Sequence, residues 1–245
     1  MLDPKKSMTE PFSTREYPLI SCIMATRDRQ EFIPGAIRCF QAQTYPNLEL
    51  VVVDHGSDGT DEIVRCVGDE RIRYERIPDP SMLTGDVKNR AIANSIGEYV
   101  AVWDDDDWHH PSRVTIQLRQ IQKLGLDACF LRRVILAWPA RSLYLYAPFR
   151  LCEGSLLSRR AILPSFGALQ RGEDTVQLNG LIKAGRRIGG LDMPDLYVNL
   201  IHARNTWDED HHARKFEANT GELPARRRGL VEQHLTENRE NRIEL

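Results

Sequence analysis

Apolar residues fall along this chain in short runs separated by polar, turn-forming stretches. The first run, Leu19-Ile20-Ser21-Cys22-Ile23-Met24, has the length of a buried strand and leads into Ala25-Thr26-Arg27-Asp28-Arg29. Ile33, Ala36, Ile37 and Phe40 then recur at helical spacing, with Pro34 tolerable in a first turn, and the pattern stops before Tyr45-Pro46-Asn47. Leu48 to Val53 predicts a second strand, followed by the turn-rich Asp54 to Thr60 and a helix through Ile63, Val64 and Val67. Ile72-Arg73-Tyr74 gives a weaker strand, Val87 to Ile96 a helix closed by Gly97, and Tyr99 to Trp103 a strong strand. Val114, Leu118 and Ile121 start a further helix.

Strands that alternate with helices predict an α/β fold with a mostly parallel sheet covered on both faces. The later chain alternates less regularly. Apolar runs at Cys129 to Trp138, Leu143 to Tyr146, Gly154 to Leu157 and Leu196 to Ile201, with a helix near Thr175 to Ala184, predict a mixed second half. The expected organisation is a polar leader over 1–17, one domain over 18–220 that divides into halves at 111/112, and a charged helix or tail over 221–245.

Composition narrows the partners. The 33 Lys+Arg against 35 Asp+Glu give a formal net charge of -2 over 245 residues, which argues against a nucleic-acid partner. With 41% hydrophobic and 28% charged residues the chain is of ordinary globular type, and no apolar run approaches the roughly 20 residues of a membrane span. Cys22, Cys39, Cys66, Cys129 and Cys152 stand singly, without metal or disulfide spacing. A cytoplasmic protein with at most peripheral contact at the inner membrane face is expected.

In open sheets of this kind ligands sit beyond the carboxyl ends of the strands, so the loops after Met24, Val53 and Trp103 matter most. The last of these is Asp104-Asp105-Asp106-Asp107. Four adjacent carboxylates repel one another; a solvated turn tolerates them, and so does a site for a hard divalent cation bound to phosphate oxygens. Glu173-Asp174 precedes an apolar helical segment, where an Asp serves as an N-cap, as a general base, or as both. His202 follows a strand and could reach a metal or a phosphate, and Arg204 could hold a phosphate. Neither G-x-G-x-x-G nor G-x-x-x-x-G-K-[ST] occurs, which disfavours a dinucleotide-binding dehydrogenase or a P-loop ATPase.

Taken in order, Ala25 to Arg29, Gln43-Thr44-Tyr45-Pro46-Asn47 through Asp54, Lys88-Asn89-Arg90-Ala91 with Gly97-Glu98-Tyr99-Val100, the Asp104–Asp107 run and Glu173-Asp174 resemble family 2 of the glycosyltransferases. The resemblance runs from about Pro18 to Trp207 and implies the GT-A fold, a Rossmann-like central sheet flanked by helices. It implies transfer of a sugar from a nucleotide-diphosphate donor, UDP-sugar foremost, to a carbohydrate or glycoconjugate hydroxyl with inversion, aided by Mn2+ or Mg2+. On the matching positions, Asp54 contacts the nucleotide base and Thr26 borders the same pocket, with Arg27, Lys88, Asp105 and Arg204 as further donor contacts. Asp104 and Asp106 are the ends of a D-x-D motif, with Asp106 the metal ligand and His202 a third contact. Asp174 is the catalytic base and Glu173 its neighbour towards the acceptor. The chain departs from the pattern at His55, where a second acidic residue is usual, and at Val87-Lys88-Asn89-Arg90-Ala91, where A-R-N-x-G is usual. A catalytically silent nucleotide-sugar-binding protein of the same fold, or a nucleotidyltransferase, are the alternatives.

Overall fold

The computed structural model describes residues 17–240 except 80, 208 and 218–220. Most of the expected polar leader and residues 241–245 of the tail lie outside the described residues. The first half consists of β1 (Ile20–Thr26), α1 (Ile33–Gln41), β2 (Leu48–Asp54), α2 (Thr60–Val67), β3 (Ile72–Arg76), α3 (Thr84–Asn94) and β4 (Tyr99–Val102). The second half follows with β5 (Trp108–His109), α4 (Arg113–Leu124), β6 (Ala128–Leu131), β7 (Ile135–Trp138), β8 (Leu143–Tyr146), β9 (Cys152–Arg159), α5 (Glu173–Lys183), β10 (Ile188–Leu191), β11 (Tyr197–Leu200), α6 (Glu209–Glu217) and α7 (Ala225–Glu240).

Seven strands form one sheet in the order β10-β6-β9-β4-β1-β2-β3. All its pairs are parallel except those of β9, which runs antiparallel to both β4 and β6. The central strands are near-continuous apolar runs because both faces are covered. On one face Ile33, Ile37 and Phe40 of α1 pack with Leu118 and Ile121 of α4; on the other Val87 and Ala91 of α3 pack with Leu181 of α5. Each fully buried Ile, Leu or Phe here contributes about 1.5–3 kcal/mol relative to exposure.

The polar breaks in these strands have partners. Ser21 Oγ donates to Glu49 Oε1 at 2.5 Å, and the same oxygen accepts the Ile96 amide at 2.8 Å. That contact explains a difference from the sequence pattern. The third helix ends at Asn94 rather than running to Ile96, because Ser95 turns extended and Glu49 takes the next free amide. Gly97 is a close-approach position, where a Cβ would lie 2.6 Å from Ser21 Oγ.

A second sheet, ordered β5-β11-β7-β8, forms because the apolar run from Cys129 to Trp138 breaks at Arg132-Arg133-Val134 and sends its two halves to different sheets. In it Val198 of β11 sits opposite Trp108 of β5. The strand that leaves the Asp104–Asp107 loop is thereby tied to the one that leads into His202. The segment after residue 220 is helical but not solvated all round, since Leu223, Val231 and Leu235 are buried in the main core.

Candidate active site

The register of the central strands sets the site. Thr26 lies opposite Asp54, and Ile23 opposite Val102, so the loops after β1, β2 and β4 emerge side by side at one sheet edge. A cavity of about 590 Å3 opens there, and its walls include Arg29, Lys88, Asp104, Asp105, Asp106 and Asp174.

The four carboxylates after β4 have different surroundings. Asp107 is buried and structural: it accepts from the Tyr197 hydroxyl, from Asn199 Nδ2 at 3.0 Å and from the Leu200 amide at 2.8 Å. Asp105 is buried too, accepting from Thr26 Oγ1 at 2.8 Å and facing Arg29 at 3.1 Å; burial pushes its carboxyl upward against the pull of Arg29. Asp106 accepts from Arg29, from His202 Nε2 at 3.1 Å and from Asn205 Nδ2 at 3.2 Å. Burial opposes its charge, but His202 and Arg29 hold the carboxyl down at about 2, so it is a full anion. Asp104 is the most exposed of the four, with its side chain 30% accessible, and it takes the Tyr197 hydroxyl at 3.1 Å. Behind it Gly154 leaves room: a Cβ there would lie 2.9 Å from Asp104 Oδ2.

Across the cavity Gly172, at φ 78°, occupies the N-cap position of α5, so Glu173 and Asp174 are the first helical residues and neither makes a side-chain cap. Their carboxylates converge instead on buried Lys88 from α3, with Nζ 2.9 Å from Glu173 Oε1 and 2.8 Å from Asp174 Oδ1. The same ammonium stands 3.9 Å from Asp104. Burial alone would depress the Lys88 ammonium, yet Asp174, Asp104 and Glu173 raise it above the ordinary lysine value. Burial likewise raises the Asp174 carboxyl, Lys88 pulls it down, and Glu173 and Glu153 add to the rise.

Other residues singled out from the sequence lie outside this cavity. Asp54 is fully buried and accepts from the Gly56 amide at 2.7 Å and the Tyr74 hydroxyl at 2.8 Å. Arg27 is exposed, 3.7 Å from Asp28. Arg204 reaches Glu31 and the Asp28 carbonyl at the outer rim. His202 meets Asp106 from a second, 660 Å3 cavity behind the acidic loop, and its ring stacks on Phe32 at 4.4 Å. Its Nδ1 accepts the Arg204 amide at 3.1 Å, which puts the ring proton on Nε2. His55 donates through Nδ1 to the Thr26 carbonyl, and its Nε2 is buried without a partner among the described residues. Of the large aromatic side chains of the second half, Trp138 and Tyr144 are core residues. Trp207 is 40% exposed, lines the cavity, stacks on His211 at 4.3 Å and carries Arg171 over its ring.

Arg29, Tyr197 and Asn205 were not legible as site residues. Arg29 belongs to the first-strand loop whose neighbours carried the resemblance, so its position was the available signal. Tyr197 and Asn205 become meaningful only once β11 is placed beside β5.

Among the described residues, no group of three or more His, Cys, Asp or Glu side chains is already arranged around a point that could hold a metal ion. The donor chemistry nonetheless fits a hard divalent cation: the Asp106 carboxyl is held low by its cationic neighbours, Asp104 is accessible, and ligand oxygens and water ordinarily complete such a shell.

Comparison with known proteins gives this arrangement a family. The E. coli colanic acid biosynthesis glycosyl transferase candidate WcaA is 32% identical over 152 residues, covering 61% of this chain and 49% of that protein. The chain thus spans about half the length of that relative. Among solved structures, TarS 1-349 of S. aureus in complex with UDP-GlcNAc aligns with a TM-score of 0.61 at 19% identity, covering 91% of this chain and 74% of that one. The mannosyltransferase PcManGT of Pyrobaculum calidifontis, in complex with GDP-Man and Mn2+, aligns with a TM-score of 0.61 at 19% identity, covering 77% and 59%. These likenesses place the fold as GT-A. Since the model of Glycosyl transferase family 2 matches residues 21–147, more than half of the sequence and all three loops at the sheet edge, the chain belongs to that family.

Proposed function

We propose that the chain is an inverting glycosyltransferase that moves a sugar from a nucleotide-diphosphate donor, UDP-sugar foremost, to a hydroxyl of a carbohydrate or glycoconjugate acceptor, in polysaccharide or glycoconjugate synthesis. The observation that carries the reading is the convergence of Asp174, Glu173 and Asp104 on one buried ammonium, Lys88. It joins an acidic loop suited to the donor to a carboxylate suited to deprotonate the acceptor.

In the proposed reaction Asp174 accepts the proton of the acceptor hydroxyl as its oxygen bonds to the anomeric carbon. The bond from that carbon to the diphosphate breaks at the same time, its electron pair leaving with the nucleoside diphosphate, and displacement from the opposite face inverts the configuration. Lys88 keeps Asp174 ionised and aimed, and also ties it to Asp104. Trp207 with Arg171 gives the acceptor side an aromatic wall on which a sugar ring could stack. A Mn2+ or Mg2+ ion, held by Asp106 with Asp104, would stabilise the charge on the leaving diphosphate, and His202 would join as a ligand through Nε2 only once its proton had moved to Nδ1 and the Arg204 amide had let go. Thr26, Asp54, Arg27, Asp105 and Arg204 belong to the donor side in this reading: Thr26 and Asp54 through the shape of the β1 and β2 loops, Asp105 through its hold on Arg29, and Arg27 and Arg204 at the rim. UDP bound by TarS and GDP-Man with Mn2+ bound by PcManGT support a nucleotide-sugar donor with a metal.

No helix among the described residues is long and apolar enough to cross a membrane.

The test is calorimetric titration with UDP, GDP, CDP and dTDP, each with and without Mn2+, followed by transfer assays with the matching sugars. One nucleotide should bind preferentially and more tightly with metal. Asp174→Asn should retain that binding while losing about 10²–10⁴ in turnover. Failure of every nucleotide to bind folded protein, or normal turnover by Asp174→Asn, would overturn the proposal.

A further inference from the structure

Arg29 stands where a cation would stand in the acidic loop. Its guanidinium faces Asp105 Oδ1 at 3.1 Å and contacts Asp106 Oδ2, the oxygen that also takes His202 and Asn205. The three side chains are largely buried, at 18%, 2% and 10% exposure for Arg29, Asp105 and Asp106. The local backbone turns Arg29 inward: Asp28 takes φ 49°, and Arg27 before it stays exposed. The guanidinium also lies 5.1 Å from the Phe32 ring centroid, on the residue that stacks against His202.

A guanidinium does not lose its proton in this environment, so its charge can leave the loop only by movement. A divalent ion on Asp106 and Arg29 on the same carboxylate oxygen would be two cations in contact, a repulsion that partial burial strengthens. Arg29 lines the same cavity as Lys88 and Asp174, and a planar fork released there fits the oxygens of a diphosphate.

We propose that Arg29 is the resting counter-ion of the acidic loop, that divalent-cation binding at Asp106 requires its release, and that the donor diphosphate then takes the freed guanidinium. This rests on the reading of Asp106 as a metal ligand. Its consequence is coupling: metal alone binds weakly, diphosphate alone binds weakly, and each strengthens the other by the same factor.

The experiment is calorimetric titration of Mn2+ alone, UDP alone and UDP with saturating Mn2+ on the full chain, comparing wild type with Arg29→Gln and using thermal melting to confirm folding. Arg29→Gln should bind Mn2+ alone about tenfold more tightly than wild type, while the enhancement of UDP binding by Mn2+ shrinks by a similar factor. Arg150→Gln removes a largely exposed charge from the wall of the same cavity and should change Mn2+ affinity by less than about twofold, separating competition from a change in overall field. If Arg29→Gln does not fold, Arg29→Lys serves, because one ammonium cannot fork across both carboxylates and the shift should keep its direction. Unchanged or weaker Mn2+ binding by the folded Arg29 variant, with wild type binding Mn2+ normally, would overturn this inference alone. So would metal-independent UDP binding that is lost in the variant, since Arg29 would then replace the metal permanently. Absence of Mn2+ binding in both proteins, with and without UDP, would overturn the metal reading as well.

Discussion

At the scale of single residues the site is organised by competition for charge. Lys88 is one ammonium facing three carboxylates, and it pulls the Asp174 carboxyl down against the upward push of burial. The charged groups facing Asp174 are Lys88 from α3, its own neighbour Glu173, Glu153 at the start of β9 and Asp104 after β4. Burial, Glu173 and Glu153 raise the Asp174 carboxyl above its ordinary 3.8 and Lys88 does not fully offset them, so protonation sets in at a higher pH than for a free Asp. A base works only when deprotonated, so turnover should fall as pH drops through this raised value. The acidic limb of kcat should therefore lie above pH 3.8. Lys88→Met removes the group that pulls the carboxyl down, so the limb should move further towards neutral pH. A pH–rate profile of the two proteins checks this; a limb that stays put, or moves to lower pH, would remove Asp174 as the titrating base.

At the scale of elements, much depends on places where backbones touch. Gly85 in the first turn of α3 packs against the 167 loop so closely that a Cβ would lie 1.7 Å from the Gly167 carbonyl oxygen. That oxygen is backbone and cannot rotate away, so Gly85→Ala should destabilise the protein by about 1–3 kcal/mol or more. Urea unfolding measures the change; an unaltered midpoint would mean that the loop simply moves aside. Such contacts also show what the sequence could and could not reveal. Fully covered strands such as Leu48 to Val53 are legible because burial on both faces demands continuous apolar residues. The short β5 and the Gly-containing β10 are not, since neither has the length or pattern of an isolated strand. The Asp104–Asp107 run and Glu173-Asp174 stand out by their places at a strand end and a helix start, and the family resemblance is what picks Asp104, Asp106 and Asp174 from among them. The division of labour among the four aspartates is not legible, because Asp107 is made structural by Tyr197 and Asn199, 90 and 92 positions away along the chain. The cap expected of Glu173-Asp174 is not made, because Gly172 holds the N-cap position and Lys88 takes both carboxylates.

At the scale of the whole molecule, the C-terminal segment ties the second sheet to α1. Residues Gly221 to Leu223 run beside β8, with the Tyr146 amide donating to the Gly221 carbonyl at 3.0 Å and the Leu223 amide to the Tyr144 carbonyl at 3.1 Å. α7 then crosses back towards α1, where Val231 and Leu235 enter the core and His234 stacks on Trp108 at 4.9 Å. Leu235 also lines the 660 Å3 cavity behind the acidic loop, opposite Asp106 and His202. The charged composition of this segment suggested a solvated element, and on that view its substitutions would be nearly neutral. The packing requires the opposite for its inward face. Leu235→Ala should cost about 2–4 kcal/mol, near the lower part of the range for buried Leu, because the adjoining cavity already deprives the side chain of some partners. Exposed Arg226→Ala should stay within about 0.5 kcal/mol. In a chain of this size the first change lowers the melting temperature by roughly 4–16 °C. Equal melting temperatures for the two variants would show that α7 is dispensable to the core. A large loss confined to Leu235→Ala would show that the wall behind Asp106 is built from the last helix of the described chain, so that trimming the C-terminal segment would damage the acidic loop's support as well as the fold.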